Sequence, residues 1–497
     1  MKRYLNFING KWVAPSTEEY YPIKNPYNQE VLATAPLSTE KDVDLAIATA
    51  RTAFESGVWS KKTPAERAAC LLKLADLVEK NIDMLAKLES QDVGKTLKYA
   101  KDSDFSFIID NLRFFAGAAR LLEGKSASEY SGMGMSLIRR EPVGVIGAIV
   151  PWNYPLYIAV WKLAPALAAG NCVVMKPASM TPLTLLEFCQ LTVEAGIPPG
   201  VFNVIVGAGN VVGEALMKHK GIDMITFTGD TETGKKILHE SGQVKLFELE
   251  LGGKAPMIVL RDADLDMAAQ GAVVGGFWNS GQDCTAVTRV YVHASQYKVF
   301  VQKMVGLTRK FRLGDPLAKN IDMGPLVSAK QLDRVMSYVD AAKKEGAKIA
   351  VGGKRPADKK LAQGYFYEPT ILTNVKQSSK VCQEEIFGPV IAVLPYNNYL
   401  EAIERANDVQ YGLAASVYGA NIYDCLTVAK ELHFGTVWIN EHGILTSESP
   451  HGGFKQSGFG KDLSMYSFEE YTRIKHIYID STRQKKRSWH YTVLGDQ

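Results

Sequence analysis

Cysteine is scarce and scattered. The 497 residues contain six, at positions 70, 172, 189, 284, 382 and 425. None stands in a CxxC pair or another close ligand spacing, which argues against a zinc site and a disulfide framework. A reduced compartment is the simplest reading. Long hydrophobic runs are missing as well. The longest, near Val143 to Trp152, is about ten residues and contains Gly and Pro, too short to cross a bilayer. The first residues, Met1-Lys2-Arg3-Tyr4, carry no apolar stretch of the secretory kind. No membrane partner is expected, and a cytoplasmic location is. Excess charge is small. A net charge of +4 and a pI of about 8.5 are too mild for a nucleic-acid partner. The one basic cluster, Lys485-Lys486-Arg487, reads as a solvated tail. Internal repeats and low-complexity segments are absent.

What remains is the composition of an ordinary globular enzyme, 46% hydrophobic and 22% charged, in a chain long enough for two or three domains. Such a core needs no disulfide or metal staple. Apolar spacing predicts helices over 40–55 and 64–90, the second opened by Pro64 after Thr63. Residues 143–150 read as a buried strand and 155–169 as a helix. A regular alternation follows: strands 172–176, 201–206, 223–228 and 245–251, with helices 182–195, 210–218 and 233–241 between them. Short β-branched runs alternating with helices predict a doubly wound α/β fold with a parallel sheet covered on both faces. Such sheets bind ligands beyond the carboxyl ends of their strands. A second α/β pattern fills roughly 255–445, with strands at 288–293, 389–394 and 435–440 and helices at 264–278, 296–310, 329–345 and 400–406. The stretch 473–480 has strand alternation and is expected to pair with another subunit.

The glycines need sorting. Gly207-Ala-Gly209-Asn-Val-Val-Gly213 is one residue longer than the dinucleotide fingerprint, so it serves equally as a cofactor turn or a plain turn. Gly229-Asp-Thr-Glu-Thr-Gly234-Lys235 imitates the start of a phosphate-binding P-loop. It is followed by Lys236, where a Ser or Thr is needed to hold magnesium, which rejects the ATPase reading. Gly229 before a helix N-terminus still suits a cofactor phosphate. Cys284 lies in Phe277-Trp-Asn-Ser-Gly281-Gln-Asp-Cys284-Thr; it is either a small buried hydrophobe or, since the polar flanks suit an exposed loop, a nucleophile. Glu250, in Glu248-Leu-Glu250-Leu-Gly-Gly-Lys254, stands at a strand end as a candidate general base or a solvated edge.

Five segments in one order resemble the aldehyde dehydrogenase superfamily: Pro151-Trp-Asn153-Tyr-Pro155, Lys176-Pro177-Ala178, Glu250-Leu-Gly-Gly-Lys254, Gly281-Gln-Asp-Cys284, and Glu384-Glu385-Ile-Phe387-Gly-Pro389. The resemblance covers residues 6 to 480. Within the superfamily the aminoaldehyde branch, especially γ-aminobutyraldehyde dehydrogenases, looks closest. That rests on Phe114-Phe-Ala-Gly-Ala-Ala-Arg120, Gly281-Gln-Asp-Cys-Thr-Ala286, Pro450-His-Gly-Gly453 and Ser457-Gly-Phe-Gly-Lys-Asp462.

The resemblance implies a division of labour. Cys284 would attack an aldehyde, and Asn153 with the Cys284 backbone N–H would form the oxyanion hole. Glu250 would activate the hydrolytic water, and its presence argues against transfer of the acyl group to coenzyme A. Lys162 and Asp462 would tune or relay protons. The cofactor, NAD or NADP, would lie against Pro151, Trp152, Lys176, Ser179, Gly209, Gly213, Phe227, Gly229, Asp230, Leu251, Glu385 and Phe387. No metal is implied.

Two departures stand out. Ser179 replaces a glutamate common in NAD-preferring relatives, which leaves room for a 2′-phosphate beside Lys176. Asp230 replaces a serine and is expected to cap the following helix. Substrate candidates are Tyr154, Trp161, Trp278 and Trp438, which offer aromatic faces to a cationic tail. Asp104 is the favoured acid for that tail, unless it caps a helix. The resemblance further implies a cofactor domain over 1–117 and 141–251, a catalytic domain over 252–445, and a small β extension over 118–140 and 465–482 that builds a homodimer or a dimer of dimers. The expected reaction is oxidation of 4-aminobutanal or a similar aminoaldehyde. The rivals are a broad aliphatic or semialdehyde dehydrogenase and a non-catalytic binding protein on the same fold.

Overall fold

The computed structural model describes residues 1–485 and 487–495, so Lys486 of the basic cluster lies outside the described residues. Helix limits follow capping chemistry. The Thr63 hydroxyl accepts the Glu66 N–H while the Glu66 carboxylate accepts the Thr63 N–H at 2.7 Å, and Pro64 opens the helix Pro64–Lys80. The single helix expected over 64–90 is broken. Asn81 turns its amide back onto the Leu77 carbonyl at 2.8 Å and ends the first helix, and Ile82–Val93 starts anew.

Five parallel strands form the middle of an eight-stranded sheet, in the order Leu246–Glu250, Met224–Thr228, Val145–Ile149, Cys172–Lys176, Phe202–Val204. Their near-continuous burial explains why they read as apolar runs rather than alternating ones. The chain ends and a late turn complete the sheet with antiparallel strands: Asn6–Ile8 and Lys11–Val13 at one edge, Gly458–Phe459 at the other. Helix Pro155–Ala169 is apolar on every side because it is sandwiched between this sheet and the helices Pro64–Lys80 and Ser106–Ala118. The strand order reverses beside Val145–Ile149, since its successor Cys172–Lys176 lies on one flank and Met224–Thr228 on the other. This creates a crevice at the carboxyl ends, where Pro151-Trp152 and Gly229 leave the sheet.

A second sheet has seven strands. Six run parallel, in the order Thr370–Thr373, Val390–Tyr396, Val287–His293, Ala255–Val259, Ala414–Tyr418, Thr436–Ile439, and Lys348–Val351 adds an antiparallel edge. Separate apolar clusters cover its faces. A third, three-stranded antiparallel sheet joins Thr472–Asp480 to Gly134–Pro142 and Lys125–Ser128. The strand expected to seek another subunit therefore has an intrachain partner along its whole length, from Thr472 opposite Pro142 to Asp480 opposite Gly134. Its other edge has no partner strand among the described residues and exposes Ile474, Tyr478 and Ile479.

Candidate active site

Cys284 sits where the two large sheets face each other. Helix Leu265–Phe277 ends in a turn whose next residues, Asn279, Ser280 and Gly281, all take left-handed backbone angles, with φ of 48°, 58° and 69°. Two of the three are not glycine, so the turn is strained and needs holding. The holding is done by buried hydrogen bonds. The Asn279 amide donates to the Asn153 carbonyl at 3.1 Å and to the Gln282 carbonyl at 3.2 Å. Ser280 Oγ donates to the Gly324 carbonyl at 2.9 Å, and Gln282 Oε1 accepts the Val327 N–H at 2.9 Å. The polar residues before Cys284 thus fix a buried turn rather than face water.

Two glycines bring Glu250 to the same place. Strand Leu246–Glu250 stops at the carboxylate. A Cβ on Gly252 would fall 2.6 Å from the Glu385 carboxylate, and one on Gly253 would fall 2.1 Å from the Cys284 carbonyl oxygen. Only glycine allows this approach. As a result a Glu250 oxygen, Cys284 Sγ and a His451 ring nitrogen lie within 4.8 Å of one another. They open into a cavity of about 240 Å³ walled by Tyr154, Tyr157, Trp161 and Trp278, with Asp283 and Glu441 also on its lining. Asn153 approaches from the loop after Val145–Ile149, and its amide donates to the Gln282 carbonyl at 3.0 Å. The Cys284 thiol is held well above its ordinary pKa by burial and then by the carboxylates of Asp283, Glu250 and Glu385.

Behind Glu250 lies a buried charge cluster. Lys162 donates to Glu248 at 2.7 and 2.9 Å and to Asp462 at 2.7 Å. Burial works against the charge on Lys162, but Asp462 and Glu248 outweigh it and raise its pKa. One cation facing two acids leaves an excess negative charge. Burial and then Glu248 push Asp462 well above the usual carboxylate range.

A second cavity, of about 280 Å³, opens at the carboxyl ends of the first sheet, with Ile149, Lys176, Gly209, Gly213, Phe227 and Thr233 on its lining. Lys176 is buried there, and burial lowers its pKa to about 8. Ser179 Oγ donates to the Gly207 carbonyl at 2.7 Å, and the Ser179 carbonyl accepts from Tyr21. Asp230 accepts the Thr233 N–H at 3.0 Å and caps helix Thr231–Glu240. Gly229 lies against the Phe227 ring, and Leu251 against Gly234 of that helix. Glu385 accepts the Gly253 N–H at 2.8 Å, and burial raises its pKa to about 7. Phe387, itself left-handed at φ 61°, meets Trp152 edge-on at 5.1 Å. Glu385 thereby reaches the Gly252-Gly253 segment that packs against Cys284. A third cavity, about 360 Å³, lies at the far end of the second sheet near Asp262 and Asn421; no cysteine lines it, and it is remote from Cys284.

The sequence profile of the aldehyde dehydrogenase family matches residues 12–477. The chain belongs to the aldehyde dehydrogenase family. Similar curated proteins include a betaine aldehyde dehydrogenase of Bacillus subtilis, 45% identical over 95% of this chain and 96% of that one. Human aldehyde dehydrogenase 1A1 is 41% identical over 95% and 94%. Among solved structures, betaine aldehyde dehydrogenase from Staphylococcus aureus in complex with NAD+ superimposes with a TM-score of 0.96 at 42% identity, covering 98% of this chain and 96% of that one. An NAD+ complex of an aldehyde dehydrogenase from Bacillus cereus gives 0.94 at 43% identity, covering 97% of each chain. The protein is an NAD(P)-dependent aldehyde dehydrogenase of α/β fold, and an aldehyde is its substrate. No described helix is long and apolar enough to cross a membrane.

The crevice of this aldehyde dehydrogenase fits a dinucleotide. Gly209 has nothing within 4 Å of where a Cβ would be, Lys176 offers a buried ammonium, and Glu385 offers a buried acceptor. Of the expected substrate residues, Trp438 needs correction and Asp104 has a buried partner. Asp104 lies on the cavity lining, and its carboxylate is paired at 2.6 Å with buried Lys95, which also faces Glu89 at 3.4 Å. It is not a helix cap, because it stands inside the wide-turn segment Ala100–Phe105. Trp438 is not on the lining. Its ring packs 4.9 Å from His442, and its Nε1 donates to the Ile444 carbonyl at 2.8 Å, so it braces the wall from behind. The lining residues Tyr157, Asp283, Glu441, His442 and His451 were missed by sequence reasoning. Two of them had a signal: His451 in Pro450-His-Gly-Gly453, and Asp283 in Gly281-Gln-Asp-Cys284.

Proposed function

We propose that this enzyme oxidises ω-ammonio aldehydes of the 4-aminobutanal type to carboxylic acids through a thioester on Cys284, hydrolysed with Glu250 as general base. The observation that carries the reading is the shared cavity, in which the Cys284 sulfur and a Glu250 oxygen lie within 4.8 Å between aromatic walls. The deprotonated sulfur adds to the aldehyde carbon. The second N–H of the Asn153 amide and the Cys284 backbone N–H hold the oxyanion that forms. NAD(P)+, when bound by Lys176, Glu385, Phe387 and the glycine turn, supplies the hydride acceptor. The Glu250 carboxylate then takes a proton from water as its oxygen attacks the thioester, releasing the acid and the Cys284 thiol. Lys162 and Asp462, buried behind Glu250, exchange that proton onward.

Two features support a cationic substrate. The cavity has four aromatic walls, and Glu441 at its exposed mouth has no basic partner within 4.0 Å among the described residues. Relatives named for betaine aldehyde, a quaternary ammonium compound, point the same way. We assign the amine-binding acid to Glu441 in place of Asp104. We also propose that the first sheet with residues 1–117 and 141–251 is the cofactor unit, 252–445 the catalytic unit, and 118–140 with 465–482 the oligomerisation unit. The unpaired edge of Thr472–Asp480 supports a homo-oligomer, in the cytoplasm, as a dimer or a dimer of dimers.

The test of the chemistry is Glu250→Gln. It should release about one NAD(P)H per site in a burst and then turn over roughly 10²-fold more slowly than wild type. Equal loss of burst rate and turnover would place Glu250 in the first step. The test of the substrate is 4-aminobutanal against butanal. Glu441→Gln should raise KM for the aminoaldehyde alone. A wild-type enzyme that prefers butanal would make it a broad aliphatic aldehyde dehydrogenase.

A further inference from the structure

We propose that Glu250, Cys284 and His451 together bind a zinc ion, which reversibly occupies the active-site thiol. The three residues supply one oxygen, one sulfur and one nitrogen donor, a set that suits Zn2+. His451 Nε2 is 3.3 Å from Glu250 Oε1. In a tetrahedral site with metal–nitrogen and metal–oxygen bonds of about 2.0–2.1 Å, two such donors stand about 3.4 Å apart, so this pair already has the separation zinc requires. Every other pair lies within 4.8 Å. A sulfur bond of about 2.3 Å sets the nitrogen–sulfur separation near 3.6 Å, so at most about 1.2 Å of side-chain closure completes the set.

The second observation is that these donors lack other partners. His451 is 1% exposed, and neither ring nitrogen has a hydrogen-bond partner. Glu250 Oε1 is also buried without one. Polar atoms left unsatisfied beside a cavity are costly, and a ligand that all of them bind removes the cost. Charge favours a cation as well. Asp283, Glu250 and Glu385 surround the sulfur with negative charge. Zn2+ reverses that balance: the metal–sulfur bond forms as the thiol proton leaves to solvent, with no change of oxidation state. Three protein donors leave a fourth position open to the cavity, so the ion has a route in and out. His451 Nδ1 has no acceptor to orient the ring as a metal-bound imidazole usually has, which makes the site weaker than a structural zinc and reversible. The donors come from positions 250, 284 and 451, so no local spacing in the chain announces them.

Binding needs only the three donors; loss of activity on binding rests in addition on Cys284 being the nucleophile. The experiment is calorimetric titration of the chelator-treated full-length protein with Zn2+, alongside titration with Co2+ as a spectroscopic probe. One Zn2+ per chain should bind. His451→Phe and Cys284→Ala should each weaken binding at least tenfold, and Cys70→Ala should leave it unchanged. Co2+ should give a sulfur-to-metal charge-transfer band that Cys284→Ala removes. If His451→Phe fails to fold, judged by thermal melting, His451→Gln replaces it, with the same weakening expected. Undiminished binding in a folded His451 variant, or a charge-transfer band surviving in Cys284→Ala, would overturn the site. Zinc bound as described without inhibition would leave the site standing and remove Cys284 as the nucleophile.

Discussion

Replacing Gly253 by alanine puts a methyl group where the structure has no room for one. The added Cβ would lie 2.1 Å from the Cys284 carbonyl oxygen, and ordinary contact begins near 3.4 Å. The neighbour is backbone, so it cannot swing aside as a side chain would. Gly253 itself has no positive φ, so alanine brings no torsional strain of its own. The loop carrying Cys284 must therefore retreat by about 1.3 Å, and a misplacement of about 1 Å at a reacting centre costs roughly 10²-fold. We expect kcat/KM for aldehyde to fall about 10²-fold, with a folded protein and cofactor binding retained. Steady-state assays, thermal melting and the rate of Cys284 alkylation by iodoacetamide would follow the three consequences. The control is Gly306→Ala in helix Tyr297–Thr308, where nothing lies within 4 Å of the new methyl group. It should leave kcat/KM unchanged and gain about 0.4–1 kcal/mol of stability. A folded Gly253→Ala enzyme with kcat/KM within about threefold of wild type would refute the idea that this contact sets the position of the sulfur.

Cys284→Ala should abolish aldehyde oxidation while NAD+ binding survives; residual turnover within about tenfold of wild type would require another nucleophile. Ser179→Glu should move preference toward NAD+ by at least about tenfold in the ratio of kcat/KM values, because a carboxylate repels a 2′-phosphate beside Lys176; an unchanged ratio removes Ser179 from the cofactor site. Burial raises Glu385 from an ordinary 4.5 to about 7, so the folded protein retains a proton that the unfolded chain has released in that window. Stability therefore falls as pH rises through it, NAD+ affinity should rise as this proposed cofactor-binding carboxylate ionises, and Glu385→Gln should flatten both profiles, read by melting and by fluorescence titration at pH 6 and 8.

The order of strands and helices in the first sheet was legible because buried parallel strands are short apolar runs separated by longer helical segments, one of them opened by the Asp230 cap. The second sheet was less legible, for a reason visible at Ala255–Val259. It follows Gly252-Gly253-Lys254 and contains Pro256, which lacks the N–H a central strand normally donates, so the stretch reads as a loop. The structure accommodates Pro256 at a register shift between Ala255 and Pro256, where the ladder is already interrupted. The break at Asn81 was hidden because helical periodicity continues through it, while the side chain that ends the helix bonds locally.

The site divides along the same physical line. Glu250 and Cys284 were legible through their neighbours: Gly252, Gly253, Asn279 and Gly281 each satisfy a demand that few residues meet, a close approach, a left-handed turn or a buried amide. The pocket acids meet no such demand. Asp104 looked free in the sequence, yet the segment Ala100–Phe105 winds wide and brings it onto Lys95, nine residues earlier and itself buried beside Glu89. Glu441 had no signal because it stands on an exposed loop, just after the strand whose Trp438 bonds the Ile444 carbonyl. Reaction type is thus written in local backbone constraints. The setting of the pocket acids emerges only when distant segments are packed: Asp104 meets Lys95, Asp283 meets the Tyr154 hydroxyl, and Glu441 stands exposed. That is why the family could be read from the motifs, whereas the choice between Asp104 and Glu441 needed the packed chain.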